Sequence, residues 1–148
     1  MLLGYVAILM AIRRQDSLAA WLILGAAFID LNVHVQRLPL AGTIIDKVWR
    51  LGAHHAATSP RTQRENHELS THLQTRHGPC VVAQRAGLVA RRIVNWVDID
   101  SEVDQGQRLG MIKFGSQTAL RLTTAFEPLV AVGHSVTAGV TPVAVLNR

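Results

Sequence analysis

Residues 97–112 read VDIDSEVDQGQRLGMI, and residues 130–145 read VAVGHSVTAGVTPVAV. Val97, Ile99, Val103 and Gly106 return 33 positions later as Val130, Val132, Val136 and Gly139. Each copy reads as a strand, a turn, a second short strand and a second turn carrying glycine. Glycine suits such turns because it accepts positive φ without a Cβ clash.

Two half-motifs of this kind, facing each other, make a flattened β-sandwich like that of lipoyl and biotinyl carrier domains. A carrier needs a lysine at one hairpin tip. The only lysines are Lys47 and Lys113, and neither repeat has one at its tip, so an ordinary carrier is excluded. The expected fold is mainly β (α+β): a sandwich of two lipoyl/biotinyl-like half-motifs with an apolar N-terminal helical segment.

The 148 residues suffice for one domain with a single core. Hydrophobic residues make up 49%, charged residues 17%, and the formal charge is +5. A basic, apolar chain points to an acidic partner surface, either nucleic acid or anionic lipid. Aromatics at 5% leave few stacking platforms for single strands, which disfavours nucleic acid. Cys80, the single cysteine, excludes an internal disulfide and a Cys-based zinc site, and is expected to be a small core residue.

Met1 to Ile12 and Leu18 to Ile29 are apolar runs separated by Arg13 and Arg14, each shorter than the roughly 20 residues that span a bilayer. No secretory signal is expected. The first 20 residues read as an apolar segment, either a helix in the membrane interface or a buried core helix, although Trp21 to Phe28 also fits a buried strand. The stretch VHVQRLPLAGTI (residues 33–44) reads as extended chain turning at Ala41-Gly42. Residues 52–79, rich in polar and histidine residues, read as a long loop with a hairpin turn near His77-Gly78-Pro79. Residues 80–148 read as a run of short β segments. The histidines match no zinc spacing, so no metal is expected.

Between the two repeats lies KFGSQTALRL, residues 113–122, in which Gly115-Ser116 breaks a β-rich run. A serine hydroxyl can attack the carbonyl before it, and glycine leaves that carbonyl unhindered. Elimination from the resulting ester, then hydrolysis, leaves an N-terminal pyruvoyl ketone. That ketone condenses with a primary amine and accepts the electrons released when the amine's carboxylate departs as carbon dioxide. By itself a Gly-Ser pair more often marks a turn.

Several ordered elements together resemble the short, pyruvoyl-dependent phosphatidylserine decarboxylases. FIDLNVHVQRLPLAGTI (28–44), RENHEL (64–69), AGLVARRIVNWV (86–97), VDQGQRLGMIKFGSQTALRL (103–122) and VGHSVTAGVTPVAVL (132–146) carry the likeness, over about residues 22–148. The resemblance implies cleavage between Gly115 and Ser116, giving a β chain, 1–115, and an α chain, 116–148, headed by a pyruvoyl group from Ser116. It implies that residues 21–148 form the decarboxylase domain. It also implies a proton-transfer role for His34, suited by a pKa near neutrality, and a phosphate or carboxylate contact for Arg37. Glu65-Asn66 is expected to support the site, and Arg91-Arg92 to face headgroups or solvent. The implied substrate is phosphatidylserine, converted to phosphatidylethanolamine on an anionic membrane surface. The implied location is peripheral, on the cytoplasmic face of the cell membrane. A homo-oligomer is compatible with this reading.

Two departures mark the chain. Asn32 stands where the family usually has Asp, and no Asp-Gly pair occurs, whereas members carry an A-D-G segment whose aspartate assists self-cleavage. Asp30 and Asp46 are the candidates to replace it. The second reading is therefore an unprocessed, inactive homologue that binds anionic lipid.

Overall fold

The structure is a computed structural model that describes residues 6–11, 23–27, 33–55, 59, 61–87, 92–113, 116–137 and 139–147. Among the described residues, thirteen strands and one helical turn follow in chain order. They are β1 (Val6–Ala11), β2 (Ile23–Ala27), β3 (Val33–Arg37), β4 (Gly42–Arg50), α1 (Thr62–Glu65), β5 (Glu68–Thr75) and β6 (Gly78–Ala86). Then come β7 (Ile93–Asn95), β8 (Glu102–Val103), β9 (Arg108–Lys113), β10 (Ser116–Arg121), β11 (Phe126–Pro128), β12 (Ser135–Val136) and β13 (Ala144–Leu146).

A five-stranded sheet, ordered β10-β6-β5-β4-β8, forms the centre. A three-stranded sheet, β3-β9-β7, accompanies it, and the remaining sheets are β12-β1-β2 and β11-β13. Every ladder is antiparallel. Leu38, Ile44, Leu73, Cys80, Val82, Val97, Val103, Leu109, Leu120 and Leu122 make the main core, and Leu69, Ala86, Ile93 and Ile112 a smaller one. Cys80 is buried there as expected, and burial pushes its thiol up to about 12.

The mainly β expectation holds, and so does the 33-residue repeat, down to its hydrogen bonds. Ser101 N donates to Asp98 O, as His134 N does to Ala131 O; Gln107 N donates to Asp104 O, as Val140 N does to Thr137 O. The left-handed positions match too: Asp100 with Gly133, and Gly106 with Gly139. Val97, Val103, Val130 and Val136 point inward, while Ile99 and Val132 are exposed. The turn at residues 76–77, with Gly78 at φ 97°, is the expected hairpin.

Two readings change. Val6–Ala11 is a strand paired with β2 and β12, where composition suggested helix, and Ile23–Ala27 takes the strand alternative. A short apolar run fits either element, and pairing decides between them. The remainder of the N-terminal segment, with Arg13 and Arg14, lies outside the described residues. No helix among the described residues is long and apolar enough to cross a membrane. The long polar loop is the second change: its C-terminal half is β5, a middle strand of the central sheet. Both faces of β5 are covered, so the alternation that betrays a half-buried strand is missing.

Candidate active site around residue 116

Ser116 opens β10 and lies opposite Ala86 of β6. β9 ends at Lys113, so only residues 114 and 115 link a strand of the three-stranded sheet to one of the five-stranded sheet. Gly115 itself lies outside the described residues. The expected junction between the two repeats is therefore also a crossing between sheets.

His34 sits in β3 opposite Ile112 of β9. Ile112, fully buried, packs in the cluster that contains Ala86, the partner of Ser116. The ladder partners of the two positions thus share one buried cluster. One step further along both strands, Gln84 Nε2 donates to Gln36 Oε1 at 2.9 Å. Asn95 Nδ2 donates to Gln84 Oε1 at 3.3 Å and to Thr71 Oγ1 at 3.1 Å. Gln84 is wholly buried, and these bonds satisfy it while locking β3 and β7 onto β5 and β6. Gly110 makes the approach possible, because a Cβ there would lie 2.1 Å from Val94 O and 3.1 Å from Gln84 Nε2.

Arg37 lies at the other end of β3, about 10 Å along the strand from His34. It is exposed, and its Nη1 donates to Gly106 O at 2.8 Å. Asn66 is completely buried; its Nδ2 donates to His55 O at 2.8 Å and Ala86 O at 2.7 Å, and its Oδ1 accepts from His55 N. It therefore anchors the residue that faces Ser116. Glu65 Oε2 lies 2.8 Å from His55 Nε2 in an open pair. His67 lies beside Trp49, the two rings tilted with centres 5.2 Å apart; burial, then the neighbouring His54, lowers its pKa. Asp46 is exposed on β4 and accepts from Lys47 N, three strands away from β10; Asp30 and Arg91 lie outside the described residues, and Arg92 is exposed.

Sequence reasoning missed one feature. Arg50, Glu68, Arg85 and Gln117 stand directly opposite one another on β4, β5, β6 and β10, forming a row across four strands. Arg85 Nε donates to Glu68 Oε2 at 2.5 Å and Nη1 to Gln117 Oε1 at 3.0 Å, with Arg85 only 1% exposed. Ser70 Oγ donates to Glu68 Oε1 at 2.7 Å. Burial, the largest single influence, would raise the Glu68 pKa. The Arg85 charge, the hydrogen bonds from Arg85 and Ser70, and the Arg50 charge together outweigh it and hold the carboxyl below its usual range. Burial likewise pulls the Arg85 guanidinium down, against the attraction of Glu68, but a guanidinium stays protonated at accessible pH. The pair is ionised. The signal available in the sequence was Arg85 inside the apolar run CVVAQRA, which demands a buried acid.

Comparison with known proteins adds kinship to this geometry. The profile of a family described as phosphatidylserine decarboxylase matches residues 15–144. A phosphatidylserine decarboxylase proenzyme of Trichlorobacter lovleyi is 37% identical over 111 residues, 74% of this chain and 51% of the relative. A putative archaetidylserine decarboxylase proenzyme of Methanosarcina mazei is 37% identical over 118 residues, 79% of this chain and 56% of the relative. A phosphatidylserine decarboxylase proenzyme of Wolbachia sp. subsp. Brugia malayi is 37% identical over 119 residues, 80% of this chain and 52% of the relative. The chain spans about half the length of these relatives. No solved structure matches it.

Proposed function

The chain belongs to the phosphatidylserine decarboxylase family, and from that premise we propose that it removes carbon dioxide from phosphatidylserine, or a closely related serine-headed lipid, through a pyruvoyl group made from Ser116. The observation that carries the reading is the position of Ser116: it opens a strand immediately after a two-residue link between sheets. That position fits the group. Scission before Ser116 leaves β9 held by β3 and β7, and β10 held by six residue pairs with β6. A ketone there supplies an electron sink for decarboxylation.

The chain's own residues do the rest. His34, whose ladder partner Ile112 shares a buried cluster with Ala86, the partner of Ser116, is assigned to proton transfer. The Gln36–Gln84 bond keeps the two sheets in that register. Asn66 fixes the Ala86 backbone. Arg37, exposed at the rim of β3, is assigned to an anionic part of the headgroup. The two repeats are read as the half-motifs of a lipoyl/biotinyl-like sandwich, supported by their matching turns.

We place the protein peripherally on the cytoplasmic face of the cell membrane, with residues 21–148 as the decarboxylase domain and the first 20 residues toward the lipid. Exposed Trp49 and Leu51, beside Lys47 and Arg50, support contact with an anionic interface.

Intact mass decides the reading. Wild-type protein should give two chains, residues 1–115 and 116–148, with the second bearing a ketone. Ser116→Ala should stay whole and inactive. A wild-type chain that remains continuous, with an ordinary Ser116, establishes the inactive homologue instead.

A further inference from the structure

Glu68 is surrounded by more positive charge than it can balance. Arg85 Nε and Arg50 Nη2 share its Oε2 at 2.5 and 3.0 Å, and Arg121 Nη2 lies 4.0 Å from Oε1. Three guanidiniums against one carboxylate leave an excess of two positive charges among the described residues. Arg85 is buried and bonded to both Glu68 and Gln117. The side chains of Arg50 and Arg121 are 39% and 29% exposed, so both are reachable from solvent.

Arg50 is also incompletely bonded. Its Nη2 serves three oxygens, Gln63 O at 3.1 Å, Asn66 O at 3.3 Å and Glu68 Oε2. Its Nε is buried and has no acceptor. A buried donor left unmade is costly, and clustered like charge raises that cost. Phosphate oxygens are the acceptors that the solvent-exposed part of such a guanidinium fits, and their charge offsets the local excess.

We propose that Arg50 and Arg121, backed by Arg85, bind the phosphate of a glycerophospholipid headgroup. The row ends at Gln117, the residue after Ser116; successive strand residues face opposite sides, so this phosphate site lies on the face of the central sheet away from the Ser116–Ala86 pair. Arg50 is flanked in the chain by exposed Trp49 and Leu51, which suit the interface above the acyl chains and favour a lipid over free phosphate. The choice of lipid rests on the decarboxylase reading; the anion site does not.

The test uses the full Ser116→Ala chain, which cannot form a ketone, with a short-chain phosphatidylglycerol, which has no amine. Calorimetry should show binding that Arg50→Gln and Arg121→Gln each weaken by about tenfold, the effect of one charge-assisted hydrogen bond. Arg76→Gln, an exposed charge control at the hairpin turn, should bind as the parent does. Far-UV circular dichroism checks that each variant folds, and Arg50→Lys, which keeps the charge but loses Nε–H, should fall between parent and Arg50→Gln. Equal affinities for parent, Arg50→Gln and Arg121→Gln overturn the proposal. Inorganic phosphate binding as tightly as the lipid, with the same sensitivity, overturns the lipid assignment. Absence of cleavage in wild type would count against the decarboxylase reading alone, since the binding experiment never uses the ketone.

Discussion

Replacing Glu68 by Gln should be among the most damaging isosteric changes available in this protein. The carboxylate is 4% exposed and its main partner, Arg85, is 1% exposed. Gln keeps the shape but strands a guanidinium in the sheet without a counter-charge. Breaking a buried pair in this way costs about 3–5 kcal/mol. The Arg50 pair is more than a third exposed and adds about 0–1 kcal/mol at most, and the Arg121 contact at 4.0 Å adds little beyond that. A loss of about 4 kcal/mol is a large fraction of the 5–15 kcal/mol typical of a domain, and corresponds to a melting temperature lower by about 10 °C. The double variant Glu68→Leu with Arg85→Met removes both charges but leaves Gln117 Oε1 short of a donor, Ser70 Oγ short of an acceptor and Arg50 without its carboxylate, a cost of about 2 kcal/mol. Thermal melts followed by circular dichroism on the uncleaved Ser116→Ala chain read both numbers. A single variant melting within about 2 °C of its parent, or a double variant as weak as the single, refutes the reasoning. The pH dependence has a definite sign. Because the folded carboxyl titrates below its usual range, its contribution is complete above the ordinary glutamate pKa of about 4.3 and drains away as pH falls through the folded value. The parent's melting temperature should therefore drop in acid more steeply than that of Glu68→Gln.

Other consequences are quicker to check. Cys80, buried with its thiol pushed up to about 12, should resist thiol reagents in the native protein and react at once in denaturant. Gly110→Ala puts a Cβ 2.1 Å from the Val94 carbonyl, on a backbone that cannot yield. It should destabilise by about 3 kcal/mol in a urea titration, whereas Gly106→Ala, with open space but φ of 81°, should cost about 1 kcal/mol. Asn66→Ala leaves the Ala86 and His55 groups without partners. It should lower stability by about 2–3 kcal/mol and, on a gel time course, slow cleavage at residue 116.

What the sequence made legible was whatever local chemistry decides. The repeat could be read because a residue pair such as Gly106 and Gly139 is required by the turn itself, and burial of Val97, Val103, Val130 and Val136 follows from their spacing. The hairpin at Gly78 and the burial of Cys80 were readable for the same reason. β5 was hidden because ELSTHLQT carries polar groups on a strand covered on both faces, where partners from β4, β6 and β7 satisfy them. The Arg50–Glu68–Arg85–Gln117 row was hidden more deeply, since no spacing along the chain links residues brought together only by the register of three ladders. That Ile112, opposite His34, and Ala86, opposite Ser116, share one buried cluster is likewise a matter of how two sheets meet.

The short passage from β9 to β10 has a consequence for how such a molecule lives. Once that link is severed, melting is no longer a rearrangement within one polymer but a dissociation, and its midpoint must rise with protein concentration. The two pieces would have to find each other again by diffusion, having lost the tether that first aligned them. A chain cut at that link would therefore refold from heat less readily, and in a concentration-dependent way, than the uncut Ser116→Ala chain.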